Sequence, residues 1–404
     1  MIKRDFYIKK LIEYKDKDLI KIITGIRRCG KSFLLFKLFY DYLKSIGINS
    51  SHILLINLES IKNIELRNPI LLYKYLKKKI IDKNKYYIFI DEIQLMEGFE
   101  DLLNGLKSDF NCDIYITGSN SKLLSSEINT KLRGRGIEIK VFPLSFQEFL
   151  STTKLNMNEA LNEYITFGGL PYLNELKGKK EKIEYLRMIN NTVVTKDIID
   201  KYSIRNQSLF ISLLKLMSSQ IGSIVSPNKI SQTLKSNNYK TVDNETISNY
   251  IKHISDAFLF YETSRYDIKG KEYLKSLKKY YICDLGLRNE MLNFNQLEMS
   301  HIMENLVYIE LLRRGYIVHI GKNVDKEIDF VVDTYDDKYY IQVCLTIENE
   351  KTRRREFESF RGLDDGYKKI LITKDDNPLT TLEKGYKMLN LYDFLTDDDS
   401  LKKI

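Results

Sequence analysis

Residues Gly25-Ile26-Arg27-Arg28-Cys29-Gly30-Lys31-Ser32 place a lysine and a serine directly after two glycines that are separated by four positions. That spacing suits an anion rich in oxygen atoms. The glycines let the backbone curl so that its N–H groups face phosphate oxygens, and a helix N-terminus behind them adds partial positive charge. Lys31 has the reach for β- and γ-phosphates, and Ser32 offers a hydroxyl to Mg²⁺. The run 19–24 before the loop is apolar and 33–38 after it reads as helix, the strand–loop–helix context of a nucleoside-triphosphate site. The candidate nucleotide contacts are Gly25, Arg27, Arg28, Cys29, Gly30, Lys31, Ser32 and Phe33, although Arg27 and Arg28 also suit ordinary solvated charges. ATP with Mg²⁺ is the expected ligand pair, and a fortuitous glycine turn is the competing explanation.

A second set of residues could complete phosphoryl chemistry. The apolar run 86–90 ends in Asp91-Glu92. One carboxylate at the C-terminal end of such a strand can hold Mg²⁺, and the next can orient and deprotonate a water. Asp91 is the metal-side candidate, together with Ser32, and Glu92 is the candidate base; a structural pair of strand-end acids is the alternative. A further strand, 113–117, runs into Gly118-Ser119-Asn120-Ser121. Ser119 is thus a candidate sensor of the γ-phosphate, or else part of a polar cap on the next helix.

These residues need a scaffold that brings strand ends together. A buried strand at 53–58 and a helix at 69–81 lie between the loop and Asp91, so the two motif strands are not expected to be sheet neighbours. The reading is an α/β fold: a parallel sheet with helices on both faces.

At 404 residues the chain exceeds what one core usually serves. Its formal charge of +9 hints at an acidic partner, but lysines and acids are interspersed, and the wealth of Lys, Asn, Ile and Tyr resembles an AT-rich genome's bias. Cys29, Cys112, Cys283 and Cys344 lie far apart and form no metal-ligand spacing with the four histidines. Disulfides and structural zinc are not expected. Neither a signal-like N-terminus nor an apolar span of membrane length is seen, so a soluble cytoplasmic protein is expected.

After Leu132-Arg133-Gly134-Arg135-Gly136 comes a strand at 137–141 and then Pro143-Leu144-Ser145-Phe146-Gln147-Glu148-Phe149. The order GxRRxGKS, apolar-DE, TGS, GR and PLSFxEF resembles a widespread group of prokaryotic AAA-superfamily ATP-binding proteins with a C-terminal restriction-endonuclease-like domain of unknown function. The resemblance spans nearly the whole chain. It implies an additional-strand P-loop core at 1–155, in which Arg133 or Arg135 serves as an arginine finger or a sensor in cis; pairing with a local carboxylate is the alternative.

The turn Phe167-Gly168-Gly169-Leu170-Pro171 punctuates a helical lid or linker at 156–203. Over 204–292 a short helix opened by Ser226-Pro227, a second with Ile247, Tyr250, Ile251 and Ile254 on one face, and a lysine-rich hairpin make a winged-helix candidate. Asn244, Ser248, Asn249 and Lys252 would lie on its open face and Arg265, Lys269 and Lys271 on its wing, suited to DNA or to a protein partner, including another copy of the chain.

Residues 293–404 read as a helix from Glu304 capped by Gly315, then strands carrying Glu327, Asp329 and Gln342-Val343-Cys344. This is the layout of PD-(D/E)xK nucleases, where carboxylates hold Mg²⁺ and a lysine positions the water. Here Gln342 and Cys344 stand where an acid and the lysine are needed. Glu304, Glu327, Asp329 and Gln342 therefore mark a vestigial nuclease site, with weak divalent binding through Glu304 and Asp329 expected and no turnover, unless Lys351 or Arg353 moves in. The sequence thus describes an AAA-type ATPase whose nucleotide state controls DNA or protein binding. Its rivals are an ATP-regulated nuclease and a nucleotide-switched signalling protein with little turnover.

Overall fold

The computed structural model describes residues 2–236, 242–295, 298–334, 337–375 and 385–404. Two compact units divide the chain: residues 1–143 with 256–258, and residues 144–255 with 259–404.

The first unit is built on β1 (Ile20–Thr24), β2 (Ile53–Asn57), β3 (Tyr86–Asp91), β4 (Cys112–Gly118) and β5 (Gly136–Lys140). All four pairings are parallel and the strand order is β2-β3-β4-β1-β5. β1, β3 and β4 are buried at every position, as apolar runs covered on both faces must be, while β2 and β5, at the edges, are partly exposed. β4 lies between β1 and β3, so the phosphate loop and the acidic pair leave strands that do not touch. The helix after the loop runs from Lys31 to Ser45 with a π-helical stretch at Leu34–Phe39. An N-terminal helix, Asp5–Tyr14, buries Tyr7 and Leu11.

In the second unit, helices Met157–Phe167 and Lys179–Thr192, the latter continuing as a π-helical segment Val193–Asp200, precede helix Gln207–Ser219. Helices Pro227–Ser236 and Asn244–Asp256 follow β6 (Ile224–Val225). Ile247, Ile251 and Ile254 are buried while Asn244, Ser248, Asn249 and Lys252 are exposed. The hairpin β7 (Phe260–Asp267) and β8 (Glu272–Ile282) comes next. Then helix Met299–Arg314, which begins five residues before Glu304, ends at Gly315 with φ of 89°. The remaining strands are β9 (Ile317–Asn323), β10 (Lys326–Asp333), β11 (Lys338–Cys344), β12 (Lys368–Thr373) and β13 (Lys387–Asn390).

The boundary expected at 292–293 does not fall between sheets. β7 pairs in parallel with β9, giving one eight-stranded sheet in the order β13-β12-β11-β10-β9-β7-β8-β6. The hairpin and the C-terminal strands therefore share a hydrogen-bonded surface.

Asp284 explains the close turn at Gly168-Gly169. One carboxylate oxygen accepts from Leu287 N–H at 3.2 Å, capping helix Leu285–Met291, and the other accepts from Gly169 N–H at 2.7 Å. Gly168 has φ of 80°, and a Cβ there would lie 2.0 Å from Asp284 Oδ1. Burial pushes the Asp284 carboxyl up to about 6 against those backbone hydrogen bonds. The folded state thus holds this proton more tightly than the unfolded state, so the contribution to stability is full below about pH 4 and is lost as pH rises through about 6. Asp284→Asn should leave one of the two N–H groups without an acceptor, at a cost of about 1–3 kcal/mol. Thermal unfolding should show the larger deficit near pH 5, where the native carboxyl holds its proton, and a smaller one at pH 7.5, where that contribution of the native side chain is lost; a deficit independent of pH would refute the assignment.

Candidate functional site

The loop between β1 and the helix from Lys31 is shaped by two glycines. Gly25 has φ of 146°, and a Cβ there would meet the Val141 carbonyl oxygen at 2.1 Å; Gly30, at φ of 100°, turns the chain into the helix. The loop is braced from behind. Arg4 donates to the Cys29 carbonyl at 3.1 Å and to the Phe142 carbonyl at 2.7 Å, and the buried Cys29 thiol donates to Val141 O at 3.3 Å. Lys31 is buried, with Nζ donating to the loop carbonyls of Gly25 at 2.9 Å and Ile26 at 3.1 Å. Arg27 pairs with Glu59 at 3.6 Å, Arg28 is exposed, and Phe33 is 45% exposed beside Ser32.

Ser32 and Asp91, distant in sequence, meet: the Ser32 hydroxyl donates to Asp91 Oδ1 at 2.9 Å. A hydroxyl and a carboxylate of this kind, next to a phosphate-shaped loop, fit a Mg²⁺ ion in their donor chemistry. Thr117, at the end of β4, donates to the same oxygen at 2.5 Å and accepts from Glu92 N–H at 3.0 Å. Sequence reasoning passed over Thr117 in favour of Ser119, although the central position of β4 puts its last side chains beside those of β3.

Glu92 turns out of β3 in the left-handed region, with φ of 56° and ψ of 52°, a conformation that costs a non-glycine residue about 1–3 kcal/mol. Its carboxyl group is raised above the usual range by burial, while Lys31 opposes the shift. Gln94 donates its amide to Glu92 Oε2 and, at 3.3 Å, to Ser119 Oγ, while its own Oε1 is buried without a hydrogen-bond partner. Gln94 is a second residue that the sequence reading missed. It lies two positions past Glu92 in a 3₁₀ turn, where an apolar run gives no hint of its direction.

Arg135 is placed elsewhere in its own chain. It precedes β5, whose first residue pairs with Ile20 at the start of β1, so it sits at the end of the parallel sheet opposite the loop. There its side chain lies 4.0 Å from Asp18. Arg133, at φ of 55°, belongs to the same turn. That placement sets both arginines at the sheet end away from the phosphate loop, with Arg135 beside a local carboxylate, and does not match the sensor in cis that the resemblance implied.

The C-terminal candidates do converge. Glu304, on helix Met299–Arg314, and Glu327, on β10, both bind the ammonium of Lys279 from β8, at 3.0 and 2.6 Å. Tyr281, two residues along β8, donates its hydroxyl to Glu304 Oε1 at 2.5 Å. Burial would lower the pKa of Lys279, but Glu304, Asp329 and Glu327 outweigh it and raise the value. Asp329 is pushed well above the carboxylate range by burial and by Glu304, and its Oδ2 accepts from Val343 N–H at 2.8 Å. Gln342 accepts from Asp329 N–H at 3.1 Å and donates to Glu356 at 3.0 Å, and burial pushes the Cys344 thiol up to about 12. Lys351 and Arg353 are exposed on helix Glu350–Glu358. The cation that enters is Lys279, from a strand assigned to a different domain by sequence. Among the described residues, no group of three or more His, Cys, Asp or Glu side chains is arranged for a metal. The weak divalent site expected at Glu304 and Asp329 does not fit these residues, because the Lys279 ammonium already lies against Glu304 and Glu327 and one oxygen each of Glu304 and Asp329 accepts from a protein donor.

Comparison with known proteins agrees with the first site. Residues 17–150 match the AAA domain, and 158–298 match a domain of unknown function, DUF8612. An uncharacterized protein of Haemophilus influenzae is 39% identical over 401 residues, 98% of each chain. One from Methanocaldococcus jannaschii is 33% identical over 400 residues, covering 93% of this chain and 86% of that protein. Among solved structures, the Walker-type ATPase PABY2304 of Pyrococcus abyssi superposes with a TM-score of 0.51 at 16% identity, over 72% of this chain and 96% of that one. That likeness concerns the fold alone. No helix among the described residues is long and apolar enough to cross a membrane.

Proposed function

We propose that this chain, which belongs to the same family as its full-length relatives from Haemophilus influenzae and Methanocaldococcus jannaschii and carries an AAA domain, binds ATP with Mg²⁺ and hydrolyses it. The observation that carries the reading is the contact of Ser32 with Asp91 beneath a glycine-shaped loop that already encloses the Lys31 ammonium. Mg²⁺, held through Ser32 and Asp91, would neutralise charge on the β- and γ-phosphates.

The chain's own residues divide the remaining work. Lys31 exchanges two loop carbonyls for phosphate oxygens. Loop N–H groups between Gly25 and Ser32 receive the rest of the phosphate charge, and Phe33 lies open beside them. Glu92 accepts a proton from the attacking water, which its raised carboxyl group favours near neutral pH. Thr117 fixes Asp91 and the Glu92 backbone together, while Gln94 ties the Glu92 carboxylate to Ser119. Arg133 and Arg135 lie too far along the sheet for their own nucleotide, so a role for either requires a neighbouring copy. The deciding experiment is ATP turnover by the purified chain, measured alone and with single- or double-stranded DNA. No turnover under any condition would leave the nucleotide-switch reading in its place.

DNA is the partner class we propose for the second unit. Support comes from the exposed Asn244, Ser248, Asn249 and Lys252 on one helix and the exposed Lys269 and Lys271 at the β7–β8 turn, near the partly exposed Arg265. Amides and cations in this arrangement suit base edges and phosphates. Neutralising Arg265, Lys269 and Lys271 together should lower DNA affinity at low salt and flatten its salt dependence by up to about three counterions. An unmodified protein with no DNA affinity at low salt would turn the surface over to a protein partner.

A further inference from the structure

We propose that the Lys279 ammonium has taken the place of a divalent ion in the C-terminal carboxylate cluster, so that the domain is neutralised from within its own chain and is independent of metal. This inference is separate from the ATP reading and does not depend on it.

The resemblance to PD-(D/E)xK nucleases calls for a metal at Glu304, Glu327 and Asp329, and three observations oppose one. Lys279 Nζ lies 2.6 Å from Glu327 and 3.0 Å from Glu304, with its side chain 5% exposed, so a monovalent cation already fills the space between the oxygens. A second cation beside it in so dry a place would be strongly repelled. Further protein donors reach the same cluster: Glu304 Oε1 takes the Tyr281 hydroxyl as well as Lys279, Asp329 Oδ2 takes Val343 N–H, and the Gln342 carbonyl oxygen takes Asp329 N–H.

The third observation is that the supporting structure is built to hold β8 in this position. Lys279 and Tyr281 alternate along the strand and so share a face. One residue further, the backbone N–H and C=O of Ile282 both pair with the side-chain amide of Asn305, at 2.8 and 3.0 Å. Gly222, at φ of 70°, is bonded through its N–H to Tyr280 O, and a Cβ added there would lie 3.2 Å from Glu304 Oε2. β8 is thus registered against the helix that carries Glu304, and its lysine reaches across to β10. A buried ion network of this kind fixes which strand lies where, and removing one member leaves charge buried without a counterion.

The test uses the full chain, with Lys279→Met, Glu304→Gln, Glu327→Gln and the double variant Lys279→Met/Glu304→Gln. Melting is followed in Mn²⁺ and in EDTA, and Mn²⁺ stoichiometry by calorimetry, without nucleotide. The Lys279→Met chain should melt roughly 10 °C lower. The double variant, which removes the stranded carboxylate, should recover at least half of that loss. Wild type, Glu304→Gln and Glu327→Gln should bind the same number of Mn²⁺ ions. If Lys279→Met fails to fold, recovery of folded protein in the double variant carries the same support, and failure of both overturns the proposal. It is equally overturned by a Lys279→Met chain as stable as wild type, by a double variant no better than the single, or by a wild-type Mn²⁺ ion that either glutamine variant loses.

Discussion

Lys31→Ala should weaken ATP binding by roughly 30- to 1000-fold, the equivalent of about 2–4 kcal/mol for removing one side of a charge-assisted contact in a largely dry site. The fold should survive, because the hydrogen bonds of Lys31 Nζ run only to the carbonyls of its own loop at Gly25 and Ile26. Titration with a fluorescent ATP analogue measures the loss directly. Unchanged affinity in a folded variant would remove the phosphate-loop assignment, and the proposed ATP function with it.

Glu92→Gln is expected to separate binding from chemistry. An amide cannot take the proton from the attacking water, so steady-state hydrolysis should fall by about 10²–10⁴-fold while nucleotide affinity changes little. The pH profile adds a second readout. Burial raises the Glu92 carboxyl, so protonation on the acid side begins at a higher pH than for an exposed glutamate, and hydrolysis should decline along that limb as pH falls. Parent-like turnover in the variant would assign the base elsewhere, with Gln94 and Ser119 then left as a structural tie.

Much of the first site was legible because its chemistry is local. The loop residues are contiguous, and Asp91 and Glu92 follow an uninterrupted apolar strand, so spacing alone singled them out, and the fold then brings Ser32 and Asp91 into contact. Strand order was legible by a different route: a whole strand–helix unit between the two motifs argued against their adjacency, and β4 does separate β1 from β3. Thr117 and Gln94 were not legible, since their contacts arise from lateral alignment of β3 with β4 and from a left-handed turn at Glu92. Arg135 looked close to the site in sequence order, but a parallel strand starts at the sheet end remote from the loops, which carries it away. Lys279 was hidden most deeply. Its strand was assigned to the neighbouring domain by sequence, and only the parallel union of β7 with β9 reveals that the two regions share one sheet.

That union has a mechanical corollary. Arg265, Tyr266 and Asp267 are in register with Ile320, Gly321 and Lys322, so swinging the hairpin away from the C-terminal strands means tearing a row of backbone hydrogen bonds in the interior of a sheet. Within the second unit, the paired strands β7 to β11 must travel as one stiff plate, and any hinge among the described residues has to lie in the helical connections outside it. A fragment stopped at residue 292 would carry β7 with a bare edge, a template for self-association in place of a separable DNA-binding module. Dissecting this half of the molecule by truncation would therefore yield aggregation where point substitutions at Lys269 or Lys271 leave the plate whole.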